Sequence, residues 1–490
     1  MSTAGSELLN QAYSSALFDA AADEWQKLLT SHMRQLAERQ AQVLNWADPH
    51  QAIDDAYGWM QRSDNDCTGS VVERMSAILS KMLSSGQNLH HPHYIGHQVP
   101  ASVPLAGLFD AVSSITNQVM AIYEMGPWAT AVEHALVKAL CGKVGWPEGC
   151  GTGLLTHGGS LANLTALLTA RNVSLPGSWE NGVPSNAVLI THADAHYCVT
   201  RSAGILGLGS RQVVKAPLDA LGRMDVVQLD LVIEQLKAGG RQIMAVSSCA
   251  CATPTGAFDD IHAIADVCEK HGVWLHVDAA HGGGLLMSRQ HRHKLRGIER
   301  ADSIVWDAHK MMFVPALCAA VLYQNRAHRF DTFQQNAPYL FDPSAPGMAD
   351  IDSGMRTIEC TKRPLGFGLW GLWSLFGDEI FEQLVDQTIN LAREFYTMLN
   401  ASEDFETLHE PECNIVAFRY LPTFMQHATA EEMDQFQREL RTNLIRSGSF
   451  YIVQTTLAQR AALRVCVMNP MTTAEDLSEL LDAIRKIAIQ

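Results

Sequence analysis

The sequence predicts an α/β protein with a mostly parallel sheet covered by helices on both faces. Three observations lead to this fold class: short β-rich runs, helical stretches between them, and their alternation from about 150 to 325. Such alternation is typical of a parallel sheet. In open sheets of this kind ligands bind beyond the carboxyl ends of the strands. The strand candidates span 187–191, 212–214, 242–248, 273–277, 303–306 and 319–323.

The segments on either side of this predicted sheet are mainly helical. Within a mostly helical region, 1–85, apolar residues recur at helical spacing over 16–44 and 71–83. Residues 90–104 form a loop interrupted by Pro and Gly. The remaining predicted helices span 105–123, 130–144 and 260–270.

The C-terminal third predicts a second, smaller unit. An irregular stretch, 326–368, precedes it, and long loops of this kind often act as lids. From 369 the chain predicts helix, then strands at 414–419 and 464–468, and a closing helix at 473–487. We therefore expect a helical segment at 1–100, a large domain at 101–368 and a small domain at 369–490.

The composition is that of a soluble globular protein, with 47% hydrophobic and 18% charged residues. The net charge of −16 argues against nucleic acid as a partner. The first residues lack the basic start and apolar run of a signal peptide, and no apolar run of about 20 residues suits a membrane span. The eleven cysteines show no framework spacing and are interpreted as reduced thiols, so a cytoplasmic protein is expected.

The densest group of chemically active residues lies in HVDAAHGGG (276–284) and DSIVWDAHK (302–310). Asp278 ends one strand candidate and Lys310 follows the next, so parallel neighbours would place both at one rim of the sheet. An acid and a lysine there suit pyridoxal phosphate, because the amine forms an imine and the carboxylate keeps the pyridine nitrogen protonated. Taken singly, either residue would fit a surface salt bridge beside a glycine turn.

These two runs resemble the group II pyridoxal-phosphate decarboxylases, which act on glutamate, cysteine sulfinate, 2,4-diaminobutyrate or aromatic amino acids. The similarity spans roughly 85 to 485. It implies the aspartate-aminotransferase-like fold (pyridoxal-phosphate fold type I), α/β with a smaller C-terminal α+β domain. It also implies a homodimer with active sites at the interface.

The resemblance assigns three catalytic residues: Lys310 as the attachment point, Asp278 at the ring nitrogen, and His196, in HADAHYC, stacked on the ring. It places the phosphate on the loop HGGSLAN (157–163), at a helix start where free N–H groups are available. The full set of implied cofactor contacts is Ser160, Leu161, Asn163, His196, Thr253, Asp278, Ala280, Asp307, His309 and Lys310.

The same resemblance implies a substrate pocket made by His97, Gln98 and Arg464. Arg464 matches an arginine that binds the substrate carboxylate in glutamate decarboxylases, and a guanidinium suits such a contact. An ordinary surface arginine on a strand is the alternative. The histidines near 90–97 show no suitably spaced Cys or carboxylate, so no metal is expected.

Four residues mark departures from the family pattern. Cys251 and Ala252 stand where relatives carry Gly-Thr before Thr253, and Lys362 stands where relatives carry an arginine near the site. Gly347 falls where relatives carry a tyrosine on a mobile catalytic loop. Loss of that tyrosine is associated in the family with decarboxylation coupled to oxidative deamination.

The expected reaction is decarboxylation of an amino acid to its amine and carbon dioxide. Gln98 and Arg464 favour a small acidic substrate: aspartate, glutamate or cysteine sulfinate. The alternatives are 2,4-diaminobutyrate, an aromatic amino acid, or decarboxylation coupled to oxidative deamination. No nucleic acid and no membrane is expected as a partner.

Overall fold

The computed structural model describes residues 3–61, 69–333 and 351–489. Its N-terminal region holds α1 (Thr3–Ala12), α2 (Ser15–Ala37), α3 (Pro49–Met60) and α4 (Val71–Ser85). The prediction of a helix over 16–44 is wrong at the C-terminal end. Helix α2 stops at Ala37, because Arg39 adopts a left-handed φ of 58° that ends the helix. The apolar Val43 instead donates its backbone N–H to Gly448 O at 2.9 Å.

The central part of the chain forms a seven-stranded sheet with helices on both faces. The strand order is β1-β7-β6-β5-β4-β2-β3, and β7 is antiparallel to both of its neighbours while the other pairs are parallel. The elements are α5 (Pro104–Ile115), α6 (Pro127–Val144), β1 (Thr152–Thr156), α7 (Gly159–Ser174), α8 (Ser178–Asn181), β2 (Ala187–His192), α9 (Tyr197–Ile205), β3 (Val213–Ala216), α10 (Val226–Ala238), β4 (Gln242–Cys249), α11 (Ile261–His271), β5 (Leu275–Asp278), β6 (Ser303–Asp307) and β7 (Ala319–Tyr323).

Two features of this region differ from the sequence expectation. Strand β1 was not among the strand candidates, because its flanking glycines resemble a turn and its place is set by pairing with β7, far away in sequence. The expected helix over 105–123 ends early, since α5 stops at Ile115 and Asn117 has a φ of 51°. Met120 then pairs with Lys362 as an isolated bridge.

The C-terminal part forms a four-stranded antiparallel sheet, in the order β10-β11-β9-β8, packed against helices. Strands β8 and β10 were not expected, and β11 begins four residues before the predicted strand, because pairing with β10 extends it back to Arg460. The closing helix is capped by Thr473, whose side chain accepts from Asp476 N. The elements are α12 (Phe367–Phe376), α13 (Glu379–Asn400), β8 (Phe405–Thr407), β9 (Ile415–Tyr420), α14 (Ala430–Arg446), β10 (Val453–Leu457), β11 (Arg460–Cys466) and α15 (Ala474–Ala488).

Successive residues of the large sheet are buried on opposite faces. Ile304 of β6 lies in one apolar cluster and Val305 in the other. Burial of both faces explains why these strands are nearly continuous apolar runs. The predicted fold class, a mostly parallel α/β sheet with a smaller C-terminal α+β part, is confirmed. Among the described residues, no helix has the length and apolar character needed to cross a membrane.

Candidate active site

A cavity of about 260 Å³ lies where several strands of the large sheet end. Strands β1, β2, β4, β5 and β6 run in one direction, so their carboxyl ends meet at one edge of the sheet. The cavity is lined by the residues that follow those ends: Gln98, His157, Gly158, Gly159, Ser160, Asn163, His196, Cys198, Cys249, Cys251, Thr253, Asp278, Ala280, His281, Asp307, His309, Lys310 and Leu317.

Lys310 and two carboxylates dominate the electrostatics of this cavity. Lys310 Nζ lies 3.2 Å from Asp307 Oδ2, and Asp278, the last residue of β5, lines the same cavity. Burial lowers the pKa of Lys310, but the charges of Asp307 and Asp278 outweigh that effect and leave the pKa above its ordinary value. The amine is therefore protonated at neutral pH.

The loop between β1 and α7 approaches Asp307 closely. A Cβ added at Gly159 would lie 2.5 Å from Asp307 Oδ2, so only glycine fits there. Gly158 has a φ of 98°, a left-handed conformation that also favours glycine. No side chain caps α7, and although the N–H groups of Leu161 and Ala162 donate to Gly158 O, those of Gly159 and Ser160 have no partner among the described residues and can serve an anion.

A buried hydrogen-bond chain holds this loop against β5. Asn163 donates from Nδ2 to Gly159 O at 2.9 Å, so its Oδ1 accepts from His276 Nε2 at 2.8 Å. His276 Nδ1 lies 2.9 Å from Ser303 Oγ, which also accepts from Trp274 Nε1. Burial lowers the pKa of His276 to about 4, so the imidazole is neutral at pH 7, and each of its two ring nitrogens has one hydrogen-bond partner. The chain connects the loop to the strand that ends at Asp278.

His196 caps the start of α9 and lines the same cavity. Its Nδ1 accepts the backbone N–H of Cys198 at 3.3 Å, so the proton of the neutral ring lies on Nε2. Burial lowers the pKa of His196, and Asp278 opposes this effect while Lys310 adds to it. A neutral ring held in this way presents a flat face rather than a charge.

Ten of the thirteen site residues expected from the sequence line this one cavity, and Leu161, His97 and Arg464 do not. Leu161 lies in the first turn of α7. The cavity also includes residues that the sequence analysis did not assign: His157, Cys198, Cys249, Cys251, His281 and Leu317. Of these, His157, Cys198 and His281 lie within motifs that the sequence analysis identified, and Cys251 is one of the departures from the family pattern. Gly347 lies outside the described residues.

Lys362 is buried away from this lining. Its Nζ lies 2.8 Å from each carboxylate oxygen of Glu133 on α6 and 2.7 Å from Leu155 O on β1. All three ammonium hydrogens therefore have acceptors. Lys362 supports the strand that leads into the glycine loop.

Comparison with known proteins assigns this arrangement to a family. The family model for the pyridoxal-dependent decarboxylase conserved domain matches residues 60–421. The chain belongs to the pyridoxal-dependent decarboxylase family. It is thus a pyridoxal-phosphate-dependent amino-acid decarboxylase, as the motifs predicted, and the cofactor prediction is confirmed.

Solved structures of other decarboxylases share the whole fold. Mouse CSAD is 27% identical, with a TM-score of 0.88 over 97% of this chain and 99% of that chain. The glutamate decarboxylase domain of diaminobutyrate-pyruvate transaminase and L-2,4-diaminobutyrate decarboxylase from Vibrio parahaemolyticus is also 27% identical, with a TM-score of 0.83 over 97% and 96%. Oryza sativa TDC with PLP and tryptamine is 20% identical, with a TM-score of 0.88 over 97% of this chain and 98% of that chain. At this identity the similarity supports a shared fold only.

The side chains that line the cavity are chemically suited to pyridoxal phosphate. Asp307 is 1% exposed, and its Oδ1 has no hydrogen-bond partner among the described residues. A buried acceptor without a partner indicates that a donor belongs nearby. The uncapped α7 suits a phosphate, the amine of Lys310 suits an aldehyde, and the carboxylate of Asp278 suits a protonated ring nitrogen.

Proposed function

We propose that this decarboxylase acts on a small acidic amino acid: aspartate, glutamate or cysteine sulfinate. The observation that carries this proposal is a buried arginine with an unused donor. Arg464 on β11 is 7% exposed, and its Nε has no hydrogen-bond partner among the described residues. A buried guanidinium donor without an acceptor is costly, and a substrate carboxylate would satisfy it with a charge-assisted bond.

Arg464 lies outside the cavity lining but acts on groups beside it. Burial raises the pKa of Cys466 to about 12, and the positive charges of Arg464 and Lys310 both oppose that rise. Partial burial lowers the pKa of His97, and the charges of Arg464 and Arg441 lower it further. The region next to the cavity is therefore positive, which favours an anionic side chain over a cationic or aromatic one.

Gln98 extends the cavity lining toward this positive region. Its amide can donate a hydrogen bond to a carboxylate or sulfinate oxygen. We assign His97 and Gln98 to the substrate side of the pocket, with Arg464 as the anion partner. This leaves the loop before α7 for the phosphate.

For the reaction itself we assign one role to each central residue. Pyridoxal phosphate supplies an electron-accepting ring for the pair released as carbon dioxide leaves. Lys310 would provide the amine that attaches the cofactor, and Asp278 would hold the proton on the ring nitrogen. His196 would orient the ring by packing against it. Ser160, Leu161 and Asn163 shape the phosphate loop, Thr253 and Ala280 lie beside the ring, and Asp307 and His309 position Lys310.

The substrate experiment measures carbon dioxide release from the holoenzyme with each of the twenty amino acids, cysteine sulfinate and 2,4-diaminobutyrate. We expect turnover with an acidic substrate and little with the others. Arg464→Gln should raise KM for that substrate at least about 10-fold while kcat changes less, because it removes a binding contact. Arg460→Gln is the matched control, since Arg460 lies on the same strand but pairs with Glu406. Preferred turnover of diaminobutyrate or an aromatic amino acid would refute the proposal.

A second outcome is decarboxylation coupled to oxidative deamination. The observation that favours it is Gly347 at the position of the loop tyrosine. Ammonia and peroxide measured beside carbon dioxide decide between the two. Stoichiometric amine without peroxide assigns simple decarboxylation.

We further propose a homodimer with active sites at the interface. Apolar side chains on and between the N-terminal helices are exposed in the single chain, including Leu9 (62%), Tyr13 (89%), Tyr57 (62%) and Met60 (80%). Exposed apolar area of this kind usually contacts another protein surface. Light scattering after size exclusion should give the mass of two chains, and a monomer at micromolar concentration would contradict this.

A further inference from the structure

Three buried side chains from distant parts of the chain meet beside the cofactor cavity. Cys251 follows β4, His281 follows β5, and Cys413 precedes β9 of the smaller sheet. One ligand atom from each lies within 4.8 Å of the other two. Cys251 and His281 also line the cavity, whereas Cys413 does not. No role assigned above uses these three residues.

The separation of the two sulfur atoms matches a shared metal ion. Cys251 Sγ lies 3.7 Å from Cys413 Sγ. Two thiolates bound to one tetrahedral Zn²⁺ at about 2.3 Å are about 3.8 Å apart. A disulfide would require the two sulfur atoms to approach to about 2.05 Å.

The third side chain is oriented as a metal-ligating histidine usually is. Asn414 donates from Nδ2 to Val467 O at 2.8 Å, so its Oδ1 is an acceptor. His281 Nε2 lies 2.7 Å from that oxygen and therefore carries the ring proton. The lone pair is thus on Nδ1, which is buried and has no hydrogen-bond partner among the described residues. Histidine ligands commonly donate their other N–H to such a carbonyl oxygen, which fixes the tautomer.

We propose that Cys251 Sγ, Cys413 Sγ and His281 Nδ1 form a binding site for a soft divalent cation of the zinc type. Thiolate and imidazole are the ligands that Zn²⁺ prefers, and two thiolates neutralise its charge, which makes burial tolerable. Three protein ligands would leave the fourth tetrahedral position to water. The metal joins the segment that carries Thr253 to the smaller sheet.

Two other groups of potential ligands are weaker candidates. Asp230, Glu234 and His271 lie on the surface, and both acids already pair with Lys270. The other group consists of His93, Asp476 and Glu479, and its Asp476 already pairs with Arg39. Neither group contains a cysteine, so neither would select a soft metal.

The test uses tag-free holoenzyme that is reduced, treated with a chelator and dialysed. Zn²⁺ is added in competition with a chromophoric chelator, and bound metal is counted by mass spectrometry. Co²⁺ is used in parallel, because its ligand-field bands lie at longer wavelength than the cofactor and report thiolate ligation. We expect one tightly bound metal per chain. Cys413→Ala should weaken affinity at least about 100-fold, while Cys268→Ala, a buried cysteine on α11, should not change it.

If Cys413→Ala fails to fold, Asn414→Ala provides the second measurement. Loss of the partner that orients a ligand typically weakens metal affinity about 10–100-fold. Binding of less than about 0.2 metal per chain by the wild type would overturn the proposal, as would equal affinity in wild type and variants. Failure of the reduced protein to take up metal, with Cys251 and Cys413 disulfide-linked before reduction, would assign a redox pair instead. None of these readouts depends on the substrate proposal.

Discussion

Replacement of Lys362 by methionine is expected to lower the free energy of unfolding by roughly 4 kcal/mol, because it leaves a buried carboxylate without its cation. Lys362 and Glu133 are 0% and 5% exposed, and the ammonium also donates to Leu155 O. Removal of one partner of a buried pair costs roughly 3–5 kcal/mol, and a carbonyl left without its donor adds roughly 1 kcal/mol or more.

Removal of both charges should restore most of this loss. Apolar side chains of similar volume often replace a buried ion pair at little cost, so Lys362→Met with Glu133→Leu should lie within about 1–2 kcal/mol of the wild type. Glu133→Leu leaves the buried ammonium without its anion and should cost about as much as Lys362→Met, so the interaction energy in the double-mutant cycle is roughly 6 kcal/mol. With an unfolding entropy of roughly 1 kcal/mol/K for 490 residues, the single variant loses about 4 °C in Tm.

Scanning calorimetry at one cofactor concentration measures this cycle on the wild type, Lys362→Met, Glu133→Leu and the double variant. Lys138→Met is the matched control, because Lys138 lies on α6, the helix that carries Glu133, but forms an exposed ion pair with Glu148. The Lys138 side chain is 75% exposed and the Glu148 side chain 83%. This control should change Tm by less than about 1 °C. A double variant as unstable as the sum of the two single variants would refute the reasoning, since it would show that the charges do not interact. A control as unstable as Lys362→Met would refute it as well.

Four further changes test the site and its supports. Lys310→Ala should abolish the visible absorbance of the attached cofactor and turnover, and robust activity would contradict the assignment. Asp278→Asn should leave weak cofactor binding while turnover falls at least about 100-fold, and an unchanged kcat would exclude its role. Burial raises the pKa of Asp110 to about 6, so the folded state loses stability as pH rises from about 4 to 6. Asp110→Asn should therefore raise Tm above pH 6 by removing about 1–2 kcal/mol of penalty, and calorimetry near pH 4 should show no gain. His276→Phe leaves Asn163 Oδ1 buried without its donor and should cost roughly 1–3 kcal/mol, with weaker cofactor binding by titration; unchanged values would show that the hydrogen-bond chain is dispensable.

Local sequence pattern was sufficient for most of the large sheet. Strands β2 and β4 to β7 contain short apolar runs, and burial of both faces produces such runs, whereas the edge strand β3 is only partly buried. Strand β1, with a glycine in its interior, has a weaker local preference and takes its place through pairing with β7. Helix ends were less predictable, because single residues with positive φ, such as Arg39 and Asn117, end helices whose apolar pattern continues.

Much of the candidate site was also visible in the sequence. Asp278, Lys310 and the glycine loop each follow a strand, and parallel strands bring such positions to one edge. The sequence could not show that Arg464 is buried and that its Nε lacks a hydrogen-bond partner among the residues the structure describes. A lone arginine on a strand has the same local pattern at the surface and in a pocket.

The sequence by itself determined the fold class, the family and the cofactor, because these depend on periodicity and on motifs whose residues lie close together along the chain. Only the tertiary structure decided which distant side chains meet. It buries Lys362 against Glu133 and brings Cys413 to Cys251 and His281, where the sequence analysis expected no metal. Such contacts leave no local pattern, since residues more than a hundred positions apart meet only after the sheets and helices have packed.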